Sequence, residues 1–314
     1  YITKQIESGL YPQNKRLPSI NEFSSKNGVS RDTTEKAYKL LIRQGYIIAV
    51  SRKGYFVNKG RQAKLKVLFI LNKLSSYKKI VYYSFLEALG KQANVDLQIH
   101  HYDPKLLNEI LETNIGQYHY YVVMPHFFTA TDPAVYKKVL SKIPKEQLLL
   151  LDRQLPDFEN SMSVYQDFEK DIYDGLSTAV PAIHKYKKVV LVFPENNNHP
   201  TGIITGVERF CKLHRKAFKQ VPDAKIKISK GVVYIFVTED DLAIFIKKVR
   251  KTDLAMGSDI GIISFNETIF KELLGITVMT TDFEQMGHSA AQLILENKHA
   301  SVRNDFKFIQ RDSL

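Results

Sequence analysis

Two short runs near the start of the chain carry side chains suited to reading a nucleic acid. Ser30-Arg31-Asp32-Thr33-Thr34 puts a helix-capping hydroxyl ahead of a guanidinium and two more hydroxyls, and Arg52-Lys53-Gly54 sets two cations beside a glycine. Arg forks onto the O6 and N7 acceptors of guanine, while Thr contacts thymine methyls or phosphates. Cations at a hairpin tip reach phosphates, and a residue without Cβ lets the backbone approach them. Ser30, Arg31, Thr33, Thr34, Arg52, Lys53 and Gly54 are therefore candidate DNA contacts, joined by Arg16, Ser19 and Asn21 at the entry of the preceding helix.

The elements that must position these groups are legible. Ile2, Ile6 and Leu10 keep a helical spacing, ended by Gly9 and Pro12. Ser19 and Glu22 form a Ser-x-x-Glu capping box, Gly28 supplies a left-handed turn, and Ser30 caps the next helix. Its inner stripe is read as Ala37, Leu40 and Leu41, which leaves the first turn exposed. Gly45 closes that helix, and 46–50 and 55–57 alternate as two short strands. A second helix entering the major groove by its N-terminal residues, followed by a basic hairpin, is a winged helix-turn-helix. The charge agrees: eleven Lys/Arg against four Asp/Glu in residues 1–60 put +7 of the net +12 on that segment.

From the polar run 60–65, taken as a linker after a DNA-binding domain over 1–59, the pattern changes. Apolar strands at 66–71, 95–100, 120–124, 147–151, 188–193, 232–237, 260–265 and 276–279 alternate with helical stretches. Eight such units exceed one sheet, so 66–314 is read as α/β: two lobes of doubly wound parallel sheet. Lobe one is set at about 66–155 plus 284–300, and lobe two at about 158–281 plus 302–314. Open α/β sheets bind ligands beyond the carboxyl ends of their strands. That rule selects Ser76, Tyr77, His126, Asp152, His199, Thr201, Glu239, Asp240 and Asn266. Carboxylates, amides and aromatics converging on one cleft suit a neutral polyol, a monosaccharide above all.

Residues 1–57 resemble the GntR-type winged-helix regulators in their Leu17-Pro18-Ser19 entry, their Val29-Ser30-Arg31-x-Thr33 recognition helix and their Gly54-x-Phe56-Val57 wing strand. Glu35 stands where many relatives have Arg. From about 65 onward the chain resembles the effector domain of the lac repressor family, itself akin to periplasmic sugar-binding proteins. The matches are Leu151-Asp152-Arg153, Val164-x-x-Asp167, 259–267 and 280–287. The resemblance implies that Asp152 and Asn266 bind sugar hydroxyls, and that Glu239-Asp240 replaces the family's Asn-Asp. It also implies a ligand-gripping Arg three residues before Gly206, where this chain has Ile203, so His199 or Thr201 is expected to substitute.

Other function classes lack their motifs. There is no Gly-x-Gly-x-x-Gly after a strand, no phosphate loop, no Gly-x-Ser-x-Gly elbow and no His-Glu-x-x-His, so neither catalytic residues, metal nor cofactor is expected. A carbohydrate-acting enzyme would need two separated carboxylates, which adjacent Asp240 and Asp241 do not supply. A periplasmic-type sugar receptor would share the second fold but has no use for a winged helix. The lone Cys211 fits a reducing compartment, and no apolar run approaches the roughly 20 residues of a membrane span. The expectation is a cytoplasmic bacterial transcriptional regulator, a homodimer on a palindromic operator, with no membrane partner.

Overall fold

The computed structural model describes residues 1–7, 10–58, 64–128, 130–195 and 198–314. The expected turn at Gly9 and most of the expected linker lie outside them. The chain divides into two compact units, Tyr1–Lys66 with Lys91–Asn94, and Val67–Gly90 with Val95–Leu314.

The first unit packs α1 (Ile2–Glu7), α2 (Ile20–Asn27) and α3 (Arg31–Arg43) with the hairpin β1 (Ile47–Val50) and β2 (Gly54–Val57). The Ser19–Glu22 capping box is complete in both directions, Gly28 ends α2 at φ 65°, and Ser30 caps α3 by accepting from the Thr33 amide. The inner stripe of α3 differs from the one read in the sequence: Thr34, Tyr38 and Leu41 are buried, while Ala37 and Leu40 face outward. Tyr38 decides the rotation. Its ring meets Phe23 and Tyr55 edge-on and its hydroxyl donates to the Pro18 carbonyl at 2.8 Å, so one large side chain ties α3 to α2, to the wing and to the entry. Burial pushes that hydroxyl up to about 12, keeping it a donor.

The second unit has two lobes. Lobe one runs β3 (Leu65–Leu71), α4 (Ser76–Leu89), β4 (Ala93–Ile99), α5 (Pro104–Asn114), β5 (Tyr120–Val123), α6 (Pro133–Leu140), β6 (Leu148–Asp152) and β7 (Met162–Tyr165). Lobe two runs α7 (Phe168–Thr178), α8 (Val180–Ile183), β8 (Lys188–Val192), α9 (Gly202–Leu213), β9 (Ala217–Val221), β10 (Val232–Phe236), α10 (Glu239–Val249), β11 (Ile260–Phe265), α11 (Ile269–Leu273) and β12 (Thr277–Thr281). The chain returns to lobe one for α12 (Phe283–Leu295) and β13 (Ser301–Arg303), then to lobe two for β14 (Phe306–Ile309). The sheet orders are β13-β7-β6-β5-β3-β4 and β14-β12-β11-β10-β8-β9. Neighbours along β13–β7–β6–β5–β3 and along β12–β11–β10–β8–β9 pair in parallel, and β14 pairs with β12 antiparallel. Strands such as β6, β10 and β11 are buried throughout, as helices on both faces require.

The lobe boundaries move from those expected. Met162–Tyr165 is a lobe-one strand, so the first crossing falls at 166–167 rather than between 155 and 158. The last crossing falls at 304–305, after β13. Both strands are short and carry serine, and Ser163 and Ser301 hydrogen-bond to each other at 2.9 Å inside the sheet. The edge strand β9 also escaped the periodicity, because three of its five residues are exposed. The helical stretch between β7 and β8 is two helices, α7 and α8.

Candidate functional site

In the first unit Arg31 and Thr33 stand exposed on the first turn of α3, and Arg52 (φ 58°), Lys53 and Gly54 (φ 102°) form the hairpin tip. Arg16 joins this tip: a β-bridge links it to Phe56, and its guanidinium lies alongside Gly54, where a Cβ would meet Nε at 3.5 Å. Ser19 and Asn21 are exposed at the start of α2, with the Ser19 hydroxyl engaged by the Glu22 amide. Thr34 corrects the expectation. It is 2% exposed and its hydroxyl donates to the Ser30 carbonyl at 3.1 Å, because one turn after the cap the helix rotates that position into the core. Ser30 is likewise occupied, sharing a 2.8 Å hydrogen bond with the Thr33 hydroxyl.

In the second unit the carboxyl ends of both sheets face a cleft of about 530 Å³, within the range of small-molecule sites. Lobe one contributes residues that follow β3, β5, β6 and β7: Asn72, Lys73, Ser75, Tyr77 and Lys78, then His126, Asp152 and Gln166. Lobe two contributes Phe168, His199, Ile203, Thr238, Glu239, Asp240 and Asn266, and Phe283 enters from the start of α12.

The floor is an ion-paired carboxylate. Asp152 is buried in a left-handed conformation (φ 74°), and its Oδ2 accepts from the Lys78 ammonium and from His126 Nε2 at 2.9 Å. Its Oδ1 accepts from the Gln166 amide. Burial alone would push Asp152 up, but the Lys78 charge and the His126 hydrogen bond overcome it and hold the carboxyl far below the usual range. Burial also depresses His126, so at neutral pH the ring is uncharged and serves as a donor. A carboxylate has about four acceptor positions, so these three hydrogen bonds leave one, on Oδ1.

The opposite wall closes onto lobe one. The Tyr77 hydroxyl donates to Glu239 Oε1 at 2.9 Å, and its ring stacks on Phe283 at 5.2 Å. Lys271, buried on α11, lies 3.4 Å from the same Glu239 oxygen and donates to the Phe265 and Asn266 carbonyls at 2.7 and 2.9 Å. This pins Asn266 in its left-handed turn (φ 62°). Asn72 Oδ1 is buried at the cleft without a hydrogen-bond partner, an acceptor that a ligand hydroxyl would satisfy.

Of the nine cleft residues read from the sequence, seven line it: Tyr77, His126, Asp152, His199, Glu239, Asp240 and Asn266. Ser76 and Thr201 are exposed and do not; Ser75, which caps α4, and Ile203 stand there instead. Lys78 and Gln166 were missed as site residues. Lys78 looks like a solvated helix lysine, and Gln166 follows a strand the periodicity did not show. Among the described residues no group of three or more His, Cys, Asp or Glu could hold a metal, and no helix is long and apolar enough to cross a membrane.

Residues 1–57 match the family model described as bacterial regulatory proteins, gntR family. The first unit is a GntR-type winged helix. The chain is 36% identical over 91 residues to YurK, an uncharacterized HTH-type transcriptional regulator of Bacillus subtilis (strain 168), an alignment covering 29% of this chain and 34% of that protein. It spans less than half the length of the curated relatives it matches, and these are named as transcriptional regulators. A periplasmic binding protein/LacI transcriptional regulator from Alkaliphilus metalliredigens QYMF, complexed with D-xylulofuranose, superposes with a TM-score of 0.60 at 11% identity over 80% of this chain and 99% of that one. The lac repressor dimer bound to operator superposes with a TM-score of 0.60 at 13% identity over 81% and 95%. The second unit therefore shares the two-lobed fold of these two structures.

Proposed function

We propose that the chain is a one-component transcriptional regulator, a homodimer that binds a palindromic operator through α3 and the wing and whose affinity a small sugar between the lobes controls. The observation that carries this reading is the pairing, in one chain, of an exposed Arg31–Thr33 reading turn with a cleft that keeps an unpartnered buried acceptor at Asn72. Hydroxyls of a monosaccharide satisfy Asn72 Oδ1, the free position on Asp152, Asp240 and Asn266, while Phe283 and Phe168 offer faces to the ring's C–H surface. Asp152 thus acts mainly as a fixed floor. Allosteric coupling of about 1 to 3 kcal/mol gives roughly 5- to 150-fold in DNA affinity. Release of a repressor by the sugar, in the cytoplasm and without catalysis, is the mode that fits these parts.

Selection of duplexes from a random pool tests the DNA half: a palindrome with half-sites about one turn (~34 Å) apart is expected. Arg31→Ala should weaken binding to it by about 1 to 3 kcal/mol. No enriched sequence, or unchanged affinity in the variant, would refute the assignment. A thermal-shift screen against monosaccharides tests the cleft, since a ligand held by the native state raises its melting temperature; no response to any of them would overturn the sugar reading.

The second copy has a candidate seat. Ile269, Phe270 and Leu273 on α11 are 74%, 77% and 76% exposed, a contiguous apolar face of the kind that marks an interface. The structurally similar lac repressor is a dimer on its operator, and a palindrome demands a two-fold partner. Phe270→Glu should weaken self-association by about 2 kcal/mol or more, read by sedimentation. An unaltered monomer–dimer equilibrium would exclude this face.

A further inference from the structure

Charge in lobe two is segregated along the strands. Glu239, Asp240, Asp241 and Glu267 follow the carboxyl ends of β10 and β11, on the cleft side. At the other pole, where β8, β9 and β10 begin, stand Lys187, Lys188, Lys212, Arg215, Arg250 and Lys251. Five of these are exposed and Lys188 is half-buried. Among the described residues none of the six is ion-paired with an acid.

We propose that this pole is a second contact for the phosphate backbone of duplex DNA. The inference rests on the DNA-binding reading above but concerns a surface outside the winged helix. Magnitudes separate it from an ordinary solvated face. The helix ends of α9 and α10 arrive at this pole, and each carries about half a negative charge that basic residues commonly offset. Two helix ends and exposed Asp253 and Asp312, the latter against Gly257 ahead of β11, cancel about three of the six charges, leaving an excess of about three. Asp259 does not reduce it further, since it pairs with Lys230 at 2.8 Å. Lys219 adds nothing to this excess, because a lysine on edge strand β9 guards that edge against pairing. A protein partner would call for apolar anchors at the centre of the patch. Among the described residues of these segments the exposed large apolar side chain is Leu213. A polyanion needs only the cations, and each phosphate neutralised releases counterions.

The test uses the full chain and a non-operator duplex, with affinity followed by anisotropy across a salt series. The variant Lys187→Gln/Lys188→Gln/Arg215→Gln should flatten the slope of log K against log salt by about 2 to 3, at about 0.9 for each phosphate no longer neutralised. Arg250→Gln/Lys251→Gln, on a different segment, should flatten it by about 2. Arg52→Gln/Lys53→Gln on the wing should flatten it independently of either. A wing variant with a flattened slope beside pole variants that keep the wild-type slope and affinity would overturn the proposal while leaving the DNA-binding reading standing. No binding by the wild-type chain would overturn both.

Discussion

Lys78→Ala is expected to lower the unfolding free energy of the two-lobed unit by about 3 to 5 kcal/mol, the cost of leaving a buried charge without its partner. Lys78 and Asp152 are both buried, and the Lys78 ammonium is the principal charge opposing the desolvation of Asp152. His126 and Gln166 remain as donors but bring no full charge. The pH dependence follows from the direction of the shift. The folded value of Asp152 lies below the unfolded one, so its contribution is present above about pH 3.9 and is lost as the pH falls through the folded value. The deficit of Lys78→Ala against wild type should therefore be widest near neutrality and narrow below about pH 4. Replacing the pair together, Lys78→Met with Asp152→Asn, should recover part of the loss, because the neutral amide removes the unpaired charge, keeps an acceptor for His126 and Gln166 and tolerates the left-handed backbone. A urea midpoint for Lys78→Ala within error of wild type at pH 7 would show that the pair is not held as described.

Gly287→Val should cost about 3 kcal/mol, at the upper end of overpacking effects. A Cβ at Gly287 would lie 2.4 Å from the Val81 carbonyl oxygen and 2.8 Å from the Phe85 amide nitrogen, both backbone atoms that cannot swing aside. The helices it would force apart are α12 and α4, whose first turns carry Phe283 and Tyr77. The same change should therefore lower the melting temperature and loosen the cleft wall, with Gly287→Ala in between. A valine variant that melts with wild type would mean that α4 and α12 do not approach so closely.

How much of this could be read in advance depended on whether a residue's role was local. Caps and turns are local: Ser19 with Glu22, Gly28 and Ser30 occupy the positions their spacing indicated. Buried parallel strands such as Leu148–Asp152 announce themselves as apolar runs, and seven of the nine cleft residues followed from strand ends alone. The failures were tertiary. Thr34 is polar yet inside, because Tyr38 sets the rotation of α3. Asp152 has the position expected of a ligand carboxylate, but a lysine 74 residues away in sequence had already claimed it. Short strands with serines inside them, β7 and β13, carry no periodic signal, and Gln166 was overlooked with the first of them.

The three crossings at 166–167, 282 and 304–305 define a line about which the lobes can turn, and the Tyr77–Glu239 hydrogen bond spans the cleft beside it. Glu239 follows β10, two strands from the crossing strand β12 and so about 10 Å from such a line, and a turn of about 10° carries it by about 1.7 Å. A hydrogen bond tolerates only about 0.5 Å of stretch before it is lost. The link therefore cannot follow a rotation of that size by lengthening; it is either made or broken. Under the proposed regulation the cleft works as a contact with two positions, like a relay, and the angle between the lobes is reported as a step and not as a gradient.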